Sequence, residues 1–149
     1  MRLSVLAVLC LLGAAPLHAQ PAESPEARAV RETLRAMWDA LAANDLAGYA
    51  AHVHPDYSSF GENDVYLTEG KDAELRGYRS YLDRVTNLRT DMQQPKVTVR
   101  GNTAWITYYW TESAVDGGAR STSRGKATRI FVREGGRWLC IHAHFTAVP

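Results

Sequence analysis

Apolar positions in the first half of the chain recur at helical spacing. Ser24-Pro25-Glu26 combines a capping hydroxyl, a proline at the first helical position and an acid in the first turn, so it predicts a helix start. The apolar residues that follow are spaced mostly by three or four: Val30, Leu34, Met37, Trp38 and Leu41. This spacing predicts one helix face directed toward a core.

Two further helices are predicted before the pattern changes. Asn44-Asp45 ends the first helix and caps a short second one, which Pro55 then stops. A short strand is predicted over 56–61, and Thr68 to Gly70 leads into a third helix. The inward positions of these two helices are Leu46, Tyr49 and Val53, then Leu75, Tyr78, Leu82 and Val85.

From Pro95 onward the chain alternates with a period of two, which is typical of strands. Strands are predicted over 97–99, 103–113, 120–133 and 137–148, with glycine-containing turns between them. Helices followed by such a meander predict an α+β fold, with N-terminal helices packed on a strongly curved antiparallel sheet. The strand over 103–113 is apolar on both faces, so a second subunit is expected to cover its other face.

The first nineteen residues have the pattern of an export signal. Arg2 precedes an apolar run from Leu3 to Ala15, and Leu17-His18-Ala19 offers a small-residue cleavage site. The run is short for a membrane-spanning helix, so it predicts a secretory signal peptide over 1–19 and one domain over 20–149. The alternative is a membrane anchor that is not cleaved. Export predicts a periplasmic or secreted protein.

Charge and cysteine content narrow the classes of partner. Lys plus Arg number 17, or 16 once Arg2 is removed, against 16 Asp plus Glu. This balance favours neither a nucleic-acid partner nor membrane binding after signal cleavage. Cys140 is the one cysteine after the signal, so it is interpreted as a buried strand residue, with a nucleophile as the alternative.

Several residues together resemble the nuclear-transport-factor-2-like superfamily. Glu69-Gly70-x-Asp72 opens a helix, Thr128-Arg129 lies in a strand, and Arg137-Trp138 precedes Ile141-His142-x-His144-x-Thr146. Within the superfamily the chain is most similar to SnoaL-like proteins and to the association domain of calcium/calmodulin-dependent protein kinase. The resemblance implies a cone-shaped bent sheet closed by three helices around a deep cavity. Where the kinase-type domain has an arginine, this chain has Trp110, so its cavity is expected to be less basic.

Arg129 is the first candidate for ligand binding, because the resemblance directs it into the cavity and a guanidinium can hold a carboxylate or phosphate. A surface or ion-paired arginine is the alternative, with Glu112 as the expected internal partner. Most of the chain's aromatic residues are expected in the core. Together with Glu112, those predicted to contact a ligand are Trp38, Phe60, Tyr108 and Trp110.

His142 and His144 lie two apart on a strand and therefore share one face. They are predicted to line the cavity beside Arg129 as catalytic bases, with Tyr57 as a hydrogen-bond donor. The alternative for at least one histidine is a hydrogen-bonded core residue. His52 and His54 form a second pair, but their loop position does not favour a metal site, so no metal and no cofactor is predicted.

Three functions remain open from the sequence. The favoured one is an exported protein that binds a small acidic or polar ligand and forms a homodimer or larger homo-oligomer. The second is an acid–base enzyme, such as an isomerase, dehydratase or hydrolase of a small organic substrate. The third is an oligomerisation module with a vestigial pocket. The resemblance does not choose between them, because one fold supports many activities.

Overall fold

The computed structural model describes residues 22–62 and 64–148. The predicted signal peptide over 1–19 lies outside the described residues. Within them, no helix combines the length and apolar character needed to cross a membrane. In chain order the elements are α1 (Pro25–Ala42), α2 (Leu46–Ala50), β1 (Val53–Phe60), β2 (Thr68–Glu69), α3 (Lys71–Leu82), β3 (Val85–Arg100), β4 (Thr103–Asp116), β5 (Ala119–Glu134) and β6 (Arg137–Ala147).

The strands form one six-stranded sheet in the order β2-β1-β6-β5-β4-β3. The sheet is curved and does not close into a barrel, and the predicted α+β class with helices before a meander is confirmed. The predicted sheet was antiparallel throughout, whereas β1 and β6 pair in parallel. The parallel pair arises because the chain passes through α3 and three meander strands before β6 returns beside β1.

The first helix follows its sequence pattern. The Ser24 hydroxyl accepts a hydrogen bond from the backbone N of Ala27 at 3.2 Å, and Pro25 occupies the first turn. The predicted apolar stripe is the buried face: Val30, Leu34, Met37, Trp38 and Leu41. This face packs against the sheet, with most of its contacts on β3.

Two predicted boundaries are wrong. Helix α2 ends at Ala50, so Val53 and Pro55 belong to β1. Strand β3 begins at Val85, ten residues before Pro95. Pro95 lies within β3 where the register shifts between Gln93 and Lys96, and Gln94 has a φ of 51°. A bulge tolerates proline, because its residues leave the regular hydrogen-bond ladder.

The sheet has an inner face, which packs against the helices, and an outer face. Strand β4 alternates between them: Ala104, Ile106, Tyr108 and Trp110 are buried on the inner face. Trp105 and Tyr109 lie on the outer face and are 38% and 50% exposed. The helices therefore cover one apolar side of β4 and leave aromatic rings uncovered on the other.

Candidate functional site

A cavity of about 580 Å³ lies between the helices and the inner face of the sheet. Helix α1 contributes one wall, α3 a second, and strands β4 to β6 the floor. Its aromatic and charged walls include Trp38, Glu74, Tyr78, Tyr81, Trp110, Glu112, Arg129 and Phe145. A volume of this size suits a small organic molecule.

Arg129 lies at the floor of this cavity and is fully buried. Its Nε donates a hydrogen bond to the Tyr108 hydroxyl at 3.2 Å, and its Nη1 lies 3.8 Å from the Cys140 Sγ. The ring of Phe145 packs on the guanidinium, with its centroid 5.0 Å from the Arg129 Cζ. These contacts fix the orientation of the side chain but supply no negative charge to balance it.

The guanidinium of Arg129 has no carboxylate within 4.0 Å among the described residues, and its Nη2 has no hydrogen-bond partner. An arginine stays protonated in proteins, so this is a buried cation without an ion pair in the described structure. The predicted pairing with Glu112 is wrong. That carboxylate also lines the cavity, but it accepts hydrogen bonds from the Tyr81 hydroxyl at 2.5 Å and the Thr90 hydroxyl at 3.3 Å.

Two other buried donors near the floor lack partners. Trp110 Nε1, on a ring that lines the cavity, has no hydrogen-bond partner within the described structure. The Tyr57 hydroxyl is likewise unpaired, although this ring is buried in the core and is not among the described residues that line the cavity. Burial raises the pKa of Tyr57, with a partly opposing effect from the nearby charge of Arg129, so the phenol keeps its proton.

The remaining aromatic predictions divide between wall and core. Trp38 lies in the cavity wall and packs edge-to-face on Tyr108, with ring centroids 5.4 Å apart. Tyr108 is buried, and its hydroxyl contacts Arg129 directly. Burial raises the pKa of Tyr108, so it remains a neutral phenol that can accept from the guanidinium and donate to another group.

Glu74 is a cavity residue that was not among the candidates predicted from the sequence. The side chain is buried and accepts a hydrogen bond from the Tyr49 hydroxyl at 2.7 Å. Glu74, Tyr78 and Tyr81 are spaced by four and three, so one face of α3 directs all three into the cavity. This helical spacing was the available signal.

His142 and His144 are not beside Arg129, and the prediction that they line its cavity is wrong. In the pairing of β5 with β6, His142 lies opposite Ile130 and His144 opposite Thr128, whereas Arg129 lies opposite Ala143. Directly paired residues share a face and neighbours along a strand alternate, so both histidines are on the outer face.

Phe60 lies with the histidines and not in the cavity, which corrects its predicted place. Its ring is 39% exposed and lies 6.3 Å from the His142 ring and 5.6 Å from the His144 ring. The Ser58 Oγ and the His142 Nδ1 are hydrogen-bonded at 2.9 Å. Burial, and repulsion from His144, lower the pKa of His142 below its ordinary value of 6.5.

The second histidine pair does not form a metal site in the described structure. The His54 Nε2 lies 3.3 Å from the Glu134 Oε1, and its Nδ1 accepts from the backbone N of Asp56. Across residues 22–62 and 64–148 no three His, Cys, Asp or Glu side chains are grouped as a metal site requires. Cys140 is buried and its pKa is raised by burial, so its environment does not favour a thiolate nucleophile.

Solved structures share this fold. A candidate calcium/calmodulin dependent protein kinase II association domain from Xanthomonas campestris matches with a TM-score of 0.75 and 18% identity, covering 93% of this chain and 99% of that one. A candidate dehydratase of the NTF2-like family from Streptomyces avermitilis gives 0.75 and 17%, covering 82% and 96%. The calcium/calmodulin kinase II hub of S. rosetta gives 0.71 and 22%, covering 85% and 100%.

At these identities the similar structures establish the fold alone, and the resemblance drawn from the sequence motifs is confirmed. The family model described as the SnoaL-like domain matches residues 30–149, which include all of the cavity floor and α3. The chain therefore belongs to the SnoaL-like domain family.

Proposed function

We propose that this SnoaL-like domain is an exported small-molecule-binding protein, whose cavity takes a small ligand with an acidic head. One observation carries the proposal: Arg129 is fully buried in the cavity floor with its Nη2 unpartnered and no carboxylate within 4.0 Å in the described structure. A buried charge without a counterion is costly, so a bound anion would relieve a cost that the unliganded protein carries.

The chemistry of the floor suits a carboxylate. A guanidinium offers donors in a planar fork, and in Arg129 the Nε donates to Tyr108 while Nη2 has no hydrogen-bond partner in the described structure. Trp110 lines the same cavity, and its buried Nε1 is a second unpartnered donor. The rings of Trp38 and Phe145 supply apolar walls for the body of the ligand.

Thermal unfolding with a panel of small carboxylates tests this proposal. At a ligand concentration a hundredfold above Kd, binding stabilises the folded state by about 2.7 kcal/mol and raises Tm by roughly 10 °C. The increase is expected for the wild type and for Arg133→Met, an exposed arginine on the same strand, but not for Arg129→Met. No increase with any carboxylate, or an equal increase in Arg129→Met, would contradict the proposal.

A second candidate function is acid–base catalysis in the same cavity, and it now depends on Glu74 rather than on the histidines. The buried carboxyl of Glu74 accepts a hydrogen bond from the Tyr49 phenol. The same cavity holds the Arg129 guanidinium, which is able to stabilise an oxyanion. The similar structure named as a candidate dehydratase supports this class of reaction. Loss of turnover in Glu74→Gln, with ligand binding retained, would distinguish an enzyme from a binding protein.

Export and self-association complete the proposal. The pattern of residues 1–19 supports cleavage before Gln20 and a periplasmic or secreted location, which N-terminal sequencing of the protein recovered from outside the cytoplasm would test. The similar structures named as an association domain and as a hub support a homo-oligomer. An oligomerisation module with a vestigial pocket would instead leave the carboxylate panel without effect.

A further inference from the structure

We infer that the ligand of this cavity is bipolar: a carboxylate at one end meets Arg129, and a protonated amine or other small cation at the other end meets Glu112. The inference rests on the proposed function, because it takes the carboxylate site as given and names the chemistry of the other end. Glu112 belongs to another wall of the same cavity.

The two ends lie at different levels of one strand face. Arg129 donates a hydrogen bond to Tyr108 on β4. Trp110 and Glu112 lie further along β4 on the same inner face. Alternate strand residues are about 6.6 Å apart, so the Glu112 backbone lies roughly 13 Å along β4 from that of Tyr108. Trp110 lies between them, with its ring in the wall and its Nε1 unpartnered. The Arg129 guanidinium and the Glu112 carboxylate therefore line the same cavity at different levels along β4.

Glu112 keeps acceptor capacity for a ligand. A carboxylate has about four lone-pair positions, and the hydroxyls of Tyr81 and Thr90 occupy two of them. No cationic side chain lies within 4.0 Å of Glu112 in the described structure. The other arginine in the lining, Arg84, is paired with Asp116 at 3.5 Å.

The end of the cavity around Glu112 is acidic. Glu62 and Asp64 also belong to the lining, whose described residues include these two carboxylates, Glu74 and Glu112 against two guanidiniums. Partial burial, and repulsion from Glu112, raise the pKa of Glu62, which indicates that the two carboxylates repel each other. A cation placed between them would remove this repulsion.

The charges of Arg129, Glu112 and Glu62 favour one class of ligand over others. A simple carboxylate would satisfy Arg129 but leave the acidic end without a counterion. A dicarboxylate would bring a second negative charge toward Glu112 and Glu62. An ω-amino carboxylate satisfies both ends, and opposite charges at fixed separation also set the orientation of the bound molecule.

The test compares four five-carbon probes: pentanoate, 5-aminopentanoate, pentanedioate and pentylamine. A second series pairs ω-amino carboxylates of three to eight carbons with simple carboxylates of equal length. Calorimetric titration gives Kd for each. The best ω-amino carboxylate is expected to bind at least tenfold more tightly than the carboxylate of equal length, and pentanedioate to bind more weakly than pentanoate. Glu112→Gln is expected to abolish the amine's advantage without weakening binding of the simple carboxylate.

The matched control is Glu32→Gln, an exposed glutamate on α1, which should change no affinity. If Glu112→Gln does not fold, as its melting without ligand will show, Glu62→Gln serves in its place because that residue is exposed. Equal binding of simple and amino carboxylates at every length would overturn the bipolar ligand and leave the proposed function standing. Failure of every carboxylate to bind would overturn both.

Discussion

At the scale of single residues, the cavity wall depends on one close approach between a ring and a backbone. A Cβ on Gly125 of β5 would meet the Thr146 carbonyl oxygen, and it would lie 2.5 Å from Trp110 Cζ2. We expect Gly125→Ala to lower the free energy of unfolding by about 2–3 kcal/mol, because overpacking forces Trp110 or β6 to move. Urea unfolding measures this loss.

The control for Gly125 is Gly77→Ala on α3, where a Cβ meets nothing within 4 Å. There the removal of a helical glycine should stabilise the protein by about 0.5–1 kcal/mol. Equal effects of the two substitutions would show that the predicted clash at β5 is absorbed without cost.

The unpaired cation at Arg129 leads to a prediction about the protein without ligand. Arg129→Met removes a buried charge whose desolvation costs several kcal/mol, and leaves the Tyr108 hydroxyl without a donor at a cost of about 1–3 kcal/mol. Since the desolvation cost of the charge is larger than the cost of the unpaired hydroxyl, we expect Arg129→Met to unfold at a higher urea concentration than the wild type. A loss above about 2 kcal/mol would instead make Arg129 a structural residue.

His142 on the outer face gives an acid-sensitive contribution to stability. Its folded pKa lies below the ordinary 6.5 because of burial and the neighbouring His144, so the unfolded chain binds the proton more readily. Stability from this group is present above pH 6.5 and is lost as the pH falls through the lowered value. His142→Asn should therefore reduce the decline of Tm between pH 7 and pH 5, and an unchanged decline would refute this contribution.

At the scale of elements, a short helix holds one of the cavity's hydrogen bonds. The Asp45 carboxylate accepts from the backbone N of Gly48 at 2.8 Å and caps α2, which carries Tyr49 toward Glu74. Asp45→Ala should cost about 1 kcal/mol of unfolding free energy, whereas Asp45→Asn keeps an acceptor and should cost little. Denaturant unfolding of both variants makes the comparison, and equal losses would exclude a capping role.

Elements with strong local signals could be predicted from the sequence, and those set by tertiary pairing could not. The cap at Ser24 and the stripe ending at Leu41 define α1 locally, and glycine turns delimit β4 to β6. Strand β2 has two residues and exists because it pairs with β1. The start of β3 at Val85 is fixed by pairing with Asp116, a contact 31 residues away that no local pattern reports.

The site was predictable only where alternation along a strand, or the family resemblance, placed a residue on the inner face. Arg129, Trp110 and Tyr108 share the inner face by alternation and cross-strand pairing. His142 and His144 required the register of β6 against β5, which shifts at a bulge between Ile130 and Phe131. A shift of one residue moves every side chain to the other face, so the face of the histidines could not be predicted from β6 alone.

At the scale of the whole molecule, we expect the outer face of the sheet to form the interface with a second copy of the chain. Tyr109 and Trp105 are exposed there on β4, and Phe60 and His144 lie on β1 and β6, which are separated from β4 by β5. Aromatic rings on a sheet lose contact with water when two such faces pack together, and this burial drives association. A closed dimer would place the same face of each copy in the interface.

We therefore expect the wild type to have twice the mass of one chain in size-exclusion chromatography with light scattering. Tyr109→Glu places a charge in the middle of the outer face and should halve that mass, because an unpaired buried charge is strongly disfavoured. Tyr66→Glu is the matched control, since this tyrosine is 83% exposed in the loop before β2. The cavity opens on the opposite side of the sheet, so carboxylate binding should survive in the Tyr109→Glu monomer. A wild type that stays monomeric at all concentrations would exclude the dimer.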